Sequence, residues 1–195
     1  MEPNIMQKKL TAIALIVICF AILGYVTYAY FSDQAEAVSA ITAGDLDITL
    51  LEWANEDKTI PFPDNPISGV MPGQDVTKIV EISNTGSQPA FIRVSVEKTI
   101  NLVGGGMPDL SLVKLDFDQI GWTYWEGYYY YNQILQPGET TTALFANVTF
   151  DRSMNNDYQN CTVIVNVHAY ATQAAHNGDN PLTAKGWPTE EMGRH

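Results

Sequence analysis

The sequence predicts an all-β protein: an antiparallel β-sandwich preceded by an apolar N-terminal helix. Segments in which polar and apolar residues alternate with a period of two, as in a half-buried strand, recur from residue 45 to residue 172. Short clusters of Gly, Pro and Asn separate these segments, as turns do. No long helical period occurs after the first 30 residues, so strands have to supply the core.

The first 30 residues differ from the rest and predict an export signal. Lys8 and Lys9 precede an apolar run, which ends with the small residues Thr27 and Ala29 on either side of a tyrosine. This pattern is typical of a signal peptide that is cleaved so that Tyr30 becomes the first residue of the mature chain. The alternative is a retained membrane anchor, because about 21 apolar residues can span a bilayer. We favour cleavage because the run ends in a peptidase-like site.

Three strands are predicted in the first half of the sandwich: residues 45–50, 76–83 and 90–96. The first alternates cleanly, and a loop rich in Pro and Gly separates it from the second. The second ends at the turn Asn84-Thr85-Gly86, and the third carries an apolar row on one face. Ahead of the first strand, residues 33–43 are compatible with a short helix.

The second half is predicted to contain a hairpin and two long strands. Residues 122–131 have the pattern of a β-hairpin, because Glu126-Gly127 suits a tight turn and aromatic residues fill both arms. Residues 141–150 and 162–172 are the last two strands. In the latter, Val and Ala alternate with other residues, so that row is predicted to face the core.

These elements divide the chain into four predicted parts. They are a signal peptide (residues 1–29), an N-terminal segment (30–43), the β-sandwich domain (44–174) and a polar, flexible C-terminal tail (175–195).

The composition limits the partners and the redox chemistry. The formal net charge is −12, which argues against nucleic acid and anionic lipid as partners and suits an extracellular protein. Contact with a membrane is expected only through an uncleaved signal segment. Of the two cysteines, Cys19 lies in the signal, so Cys161 has no internal disulfide partner in the mature chain. Its valine-rich strand predicts a small buried side chain.

The sequence contains no recognisable catalytic motif. The three histidines, His168, His176 and His195, do not have the spacing of a zinc site. Asp116 and Asp118 share one face of a predicted strand and suit weak Ca²⁺ binding, but a calcium-binding loop pattern is missing. We therefore predict a protein that is not an enzyme and has no cofactor beyond such weak calcium binding.

An aromatic cluster is the main candidate contact surface. It consists of Trp122, Tyr124, Trp125, Tyr128, Tyr129, Tyr130 and Tyr131. One interpretation is a hairpin packed on the core, with every second ring buried. The alternatives are a carbohydrate-binding platform and a contact between subunits, where Tyr and Trp supply area at low entropic cost.

Five blocks of sequence, taken in order, resemble the camelysin/TasA-like family of exported surface and matrix proteins, especially its BsaA-like members. The blocks are residues 27–33, residues 42–50, residues 71–75 with 82–87 and 90–94, residues 127–132 with 135–140 and 144–145, and residues 169–174. The second block is TAGDLDITL, and the fourth contains GYYYYN followed by LQPGET. Together the blocks extend over most of the chain.

The resemblance implies a jelly-roll-like (Ig-like) β-sandwich, secretion to the extracellular matrix or cell surface, and removal of the signal by a dedicated signal peptidase. It also implies assembly into fibres with further copies of the chain or with related matrix subunits. Some members are described as metalloproteases, an activity for which this sequence has no recognisable zinc site.

We expect assembly by strand donation. Cleavage after Ala29 would free an N-terminal segment that can add to an open sheet edge of a neighbour. The polymerisation residues predicted there are Phe31, Ala35, Ala37, Val38 and Ile41. The alternative is a monomeric adhesin or carbohydrate-binding module that uses the aromatic hairpin, and a surface metalloprotease is a third hypothesis.

Overall fold

The structure is a computed structural model that describes residues 40–42, 46–69 and 71–188, all within one compact unit, Val38–His195. The predicted all-β class is confirmed. The strands are β1 (Ala40–Thr42), β2 (Ile48–Trp53), β3 (Ile67–Ser68), β4 (Asp75–Thr77), β5 (Ile79–Asn84), β6 (Ala90–Asn101), β7 (Val113–Leu115), β8 (Trp122–Trp125), β9 (Tyr128–Tyr131), β10 (Asn147–Phe150) and β11 (Thr162–Gln173). The helices in the described residues are single 3₁₀ turns at Leu110–Leu112, Asn156–Tyr158 and Pro181–Thr183.

The first sheet has the strand order β1-β11-β6-β9-β8, and β3 also pairs with β11. Its centre is the antiparallel pair β6–β11, in which Asn101 lies opposite Thr162 and Ala90 lies opposite Gln173. β1 is parallel to β11, so residues 40–42 form a strand and not the end of the short helix that the sequence allowed. The predicted hairpin is present as β8 and β9.

The second layer consists of β2–β5 and β4–β10–β7. These groups are joined by hydrogen bonds between β5 and the segment before β10: Val80 N donates to Phe145 O, and Leu144 N donates to Val80 O. The single strand predicted over residues 141–150 is therefore regular only in its second half, β10. The two layers face each other as a jelly-roll-like sandwich.

The core lies between the layers. Rows from both sheets are completely buried, and they include Ile82, Ile92, Val94, Leu144, Val148 and Phe150. Burial of each such side chain contributes about 1.5–3 kcal/mol. Cys161 belongs to this core with 1% of its surface exposed, as predicted for a small hydrophobic side chain.

The chain after β11 folds back over the outer face of the first sheet as far as Pro188. Thr172 Oγ1 donates to Lys185 O at 2.8 Å, and Lys185 N donates to Asn177 Oδ1 at 2.8 Å. A second apolar cluster forms outside the sandwich, where Phe91 packs with Ala174, Ala184, Ile134 and Trp187. We call residues 174–188 the C-terminal strap.

Candidate functional site

Most of the predicted cleavage and polymerisation residues lie outside the described residues. These are Thr27, Ala29, Tyr30, Phe31, Ala35, Ala37 and Val38. Ile41 is described, and in the parallel pairing of β1 it lies opposite Tyr170 of β11. In the part of the chain that the structure describes, no helix is long and apolar enough to cross a membrane.

The outer edge of β11 is only partly covered. At one end, β3 pairs with Thr162 and Val163, and at the other, β1 pairs with residues 169–171. Between them, residues 164–168 have no strand on that side within the described ranges. The exposed main-chain groups of such a stretch can accept another strand.

The aromatic hairpin is built around a tight turn. Glu126 and Gly127 have positive φ angles of 47° and 88°, as a two-residue type I′ turn requires. This turn places Trp122 opposite Tyr131 and Trp125 opposite Tyr128. The arms therefore pair along their full length.

The hairpin buries most of its rings. Trp122, Tyr130 and Tyr131 are buried, and Tyr129 is half-buried, with its ring stacked on Phe117 at 4.1 Å between centroids. Desolvation by this burial, with a smaller effect of Tyr124, raises the pKa of Tyr129 to about 12. Only two members of the cluster are mostly exposed, Tyr124 at 61% and Trp125 at 54%. The hairpin is thus packed on the core and presents two large rings to solvent.

Arg93, which was not among the predicted site residues, lies at the centre of an aromatic cage on the outer face of the first sheet. Its guanidinium carbon is 4.1 Å from the ring centre of Tyr128, 4.8 Å from that of Trp187 and 5.3 Å from that of Tyr170. Its Nη2 donates to Pro188 O at 3.1 Å. The cage therefore holds the C-terminal strap against the sheet. The sequence signal for it is an arginine in the outward row of an apolar strand.

The two aspartates considered for calcium binding have structural partners. Asp116 accepts hydrogen bonds from Ala146 N at 2.9 Å and from Asn147 N at 2.7 Å, and its second oxygen accepts one from Asn147 Nδ2 at 2.9 Å. Partial burial opposes ionisation of Asp116, but these hydrogen bonds outweigh it and hold its pKa below the usual range. Asp118 accepts from Ile120 N and Thr142 Oγ1. Both carboxylates thus stabilise loops.

The described residues do not fit a catalytic metal centre. Within them, no three His, Cys, Asp or Glu side chains come together in a group that could hold a metal ion. His168 lies in the outward row of β11, and His176 is exposed in the C-terminal strap with a φ of 61°. Burial raises the pKa of the Cys161 thiol, which disfavours the thiolate that would bind a metal.

Comparison with known proteins identifies one family. A family model described as camelysin metallo-endopeptidase matches residues 4–103, a little more than half of the chain. No curated protein and no solved structure matches the chain. The match covers the N-terminal region, β1 to β6 and the start of the loop that follows. The chain therefore belongs to the camelysin metallo-endopeptidase family, whose members are cell-surface or secreted proteins.

Proposed function

We propose that the chain is a structural subunit of cell-surface or biofilm-matrix fibres and that its subunits are joined by strand donation. The observation that carries this proposal is the partly covered edge of β11. β3 pairs with two of its residues and β1 with three, and within the described ranges no strand pairs with residues 164–168 on that side, which supports the addition of a further strand there. Main-chain hydrogen bonds along such an edge supply much of the affinity in strand addition.

The donor is the N-terminal segment of a neighbouring copy, and its sequence argues for a particular register. Continued backwards, the register of β1 would bring Glu36 opposite Val165, which belongs to the core-facing row of β11. An unpaired carboxylate there would be costly. A shift of one residue exchanges the two rows of the donor, so that Ala35 and Ala37 face the core row and Glu36 faces solvent. We therefore expect a donated segment to dock one residue out of the register of β1.

Such a contact leads to a filament. The donor segment and the acceptor edge are different surfaces of one chain, so the contact is head to tail and does not close on itself. An uncleaved signal segment would keep the donor tethered to the membrane, and its removal would start assembly. The net charge of −12 keeps free subunits soluble before they assemble.

Negative-stain electron microscopy of the chain without residues 1–29, with and without calcium, tests the proposal. Regular filaments are expected. A variant that also lacks residues 30–39 keeps the acceptor edge but loses the donor, so it should form no filaments and should stop the growth of others at substoichiometric amounts. A chain lacking residues 189–195 is the control and should still assemble. Filaments from the variant without residues 30–39 would overturn strand donation.

Two other functions have specific support. The family description favours a surface metalloprotease, for which the purified protein should cleave casein and lose this activity with a chelator. The exposed rings of Tyr124 and Trp125 favour a monomeric carbohydrate-binding adhesin. Binding on a glycan array that is lost in Trp125→Ala, in a protein that stays monomeric, would favour the adhesin over the fibre subunit.

A further inference from the structure

Strand β8 forms the edge of the first sheet opposite to the β11 edge. β9 pairs with it on one side, and no other described strand pairs with it on the other side. An edge strand presents a row of unpaired N–H and C=O groups, which is a template for pairing with another chain. Natural proteins usually protect such edges with charges, prolines or bulges.

The hydrogen-bond pattern of the hairpin shows which groups of β8 face outward. Asn132 N donates to Gly121 O at 2.9 Å, so Gly121 and Asn132 are a hydrogen-bonded pair across the hairpin. Hydrogen-bonded and non-hydrogen-bonded pairs alternate along an antiparallel ladder. Thr123 and Trp125 therefore also bond to β9, whereas the main-chain groups of Trp122 and Tyr124 point to the open edge.

The edge lacks the protection that charges and prolines give. Its residues are Trp-Thr-Tyr-Trp, without a charge or a proline, in a chain whose net charge is −12. By comparison, the edge strand β7 of the second layer has only three residues, and Lys114 is one of them. Tyr124 and Trp125 are 61% and 54% exposed and lie in opposite rows of β8, so both faces of the edge present an aromatic ring. An uncharged strand in an acidic chain can approach its own copy without direct repulsion between the two strands.

We propose that β8 pairs antiparallel with β8 of a second copy, with Thr123 on the two-fold axis, so that the two first sheets become one continuous sheet. Directly opposed residues must come from the same row, because both cores must lie on the same side of the joined sheet. With the axis at Thr123, Trp122 of each copy lies opposite Tyr124 of the other, and all outward main-chain groups of β8 are used, in about four hydrogen bonds. An axis at Tyr124 would oppose Trp122 to Glu126, whose positive φ places it in the turn, and would lose about half of these bonds.

This contact is independent of strand donation. It uses the opposite edge of the first sheet and a two-fold contact instead of a head-to-tail one, so it gives a dimer of free subunits. In a fibre, the same contact would join two filaments side by side. Failure of the proposed fibre function would therefore leave the dimer intact, and absence of the dimer would leave filament growth intact.

A cysteine scan tests the register. Thr123→Cys, Tyr124→Cys and Trp125→Cys are each made in the full chain in detergent micelles with Cys19→Ser, and the buried Cys161 is kept. Met107→Cys, at a side chain that is 98% exposed and lies outside the hairpin in the loop after β6, is the control. The two Thr123 positions face each other with Cα atoms about 4.5 Å apart, within reach of a disulfide. The two Trp125 positions are offset by about 13 Å.

Under mild oxidation, Thr123→Cys is expected to form disulfide-linked dimers about tenfold faster than Trp125→Cys or the control. Equal rates at Thr123 and Met107 would overturn the pairing, and faster linking at Tyr124 or Trp125 than at Thr123 would overturn the register. Tyr124→Pro gives a second measurement, because it removes an outward N–H and leaves the bonds to β9 in place. Sedimentation should show this variant as a monomer at concentrations where the parent chain is a dimer, with an unchanged circular dichroism spectrum.

Discussion

The docking of the C-terminal strap depends mainly on Trp187, so Trp187→Ala should release the strap. The indole lies at 4.8 Å from the Arg93 guanidinium and makes an edge contact with Tyr130 at 5.7 Å between ring centres. A cation–π contact contributes about 0.5–1 kcal/mol at a partly exposed site, and an aromatic pair contributes about 0.5–1.5 kcal/mol beyond burial. Because the half-buried ring also packs in the cluster around Phe91, we expect a loss of about 2–3 kcal/mol.

Trypsin provides a direct assay, because Lys185 lies inside the strap. Cleavage of a folded segment follows the population of its open state when opening is fast. A loss of about 2–3 kcal/mol should therefore increase the cleavage rate at Lys185 by about 30- to 150-fold, measured by mass spectrometry of the product that ends there. The midpoint of thermal unfolding should fall by about 5–10 °C if the strap unfolds together with the domain.

Trp125→Ala is the matched control, because it removes the same side chain from a site that is 54% exposed. It should change the cleavage rate at Lys185 by less than about threefold. If the two variants gave the same rate, the cage around Arg93 would contribute nothing to holding the strap. That result would instead agree with the sequence-based prediction of a flexible tail.

Three further predictions concern individual side chains. Tyr129 should ionise with a pKa of about 12 in an absorbance titration, and Tyr129→Phe should remove that step. Because folding raises the pKa of Tyr129, the contribution of this group to stability is complete below about pH 10 and is lost as the pH rises through 12. Asp116→Asn should lower the free energy of unfolding by about 0.5–1 kcal/mol at pH 7 in urea titrations, because solvent screens the hydrogen bonds of this exposed carboxylate, whereas the control Asp57→Asn should change it little. Because the pKa of Asp116 is lowered by folding, the difference between its variant and the parent chain should shrink as the pH falls below about 4. Phe150→Ala, at a ring with no exposed surface, should cost about 3–5 kcal/mol in the same titrations.

The elements that could be predicted from the sequence are those that local chemistry determines. β6 and β11 show a clear period of two, and the buried rows of the structure are the predicted ones, such as Val163, Val165 and Val167 in β11. The hairpin was predictable because an acid-Gly pair between aromatic arms suits a type I′ turn. In these segments, the local pattern of apolar and turn residues predicts the same strands and turn that the structure contains.

The predictions differ from the structure where distant side chains determine the backbone. Thr141 interrupts the strand predicted over residues 141–150, because its Oγ1 accepts the hydrogen bond of Ile82 N in place of a main-chain carbonyl. The contact between Arg93 and Pro188 joins residues 95 positions apart, and no local period indicates it. The cage around Arg93 was missed for the same reason: its three rings come from β9, β11 and the strap.

The acidic side chains bear on the choice between a fibre subunit and a protease. A metal site needs several ligands that converge and are free to coordinate. The carboxylate of Asp116 instead binds three donors of the segment that leads into β10, and Asp151 pairs with Lys114 and accepts from Ser153. Turning either group toward a metal would remove hydrogen bonds that hold the second layer together, and substitution should therefore reduce stability. Among the described residues, in contrast, β8 and residues 164–168 of β11 have no strand partner at the edges of the first sheet, so the strand pairing that we propose would leave the hydrogen bonds of the second layer in place.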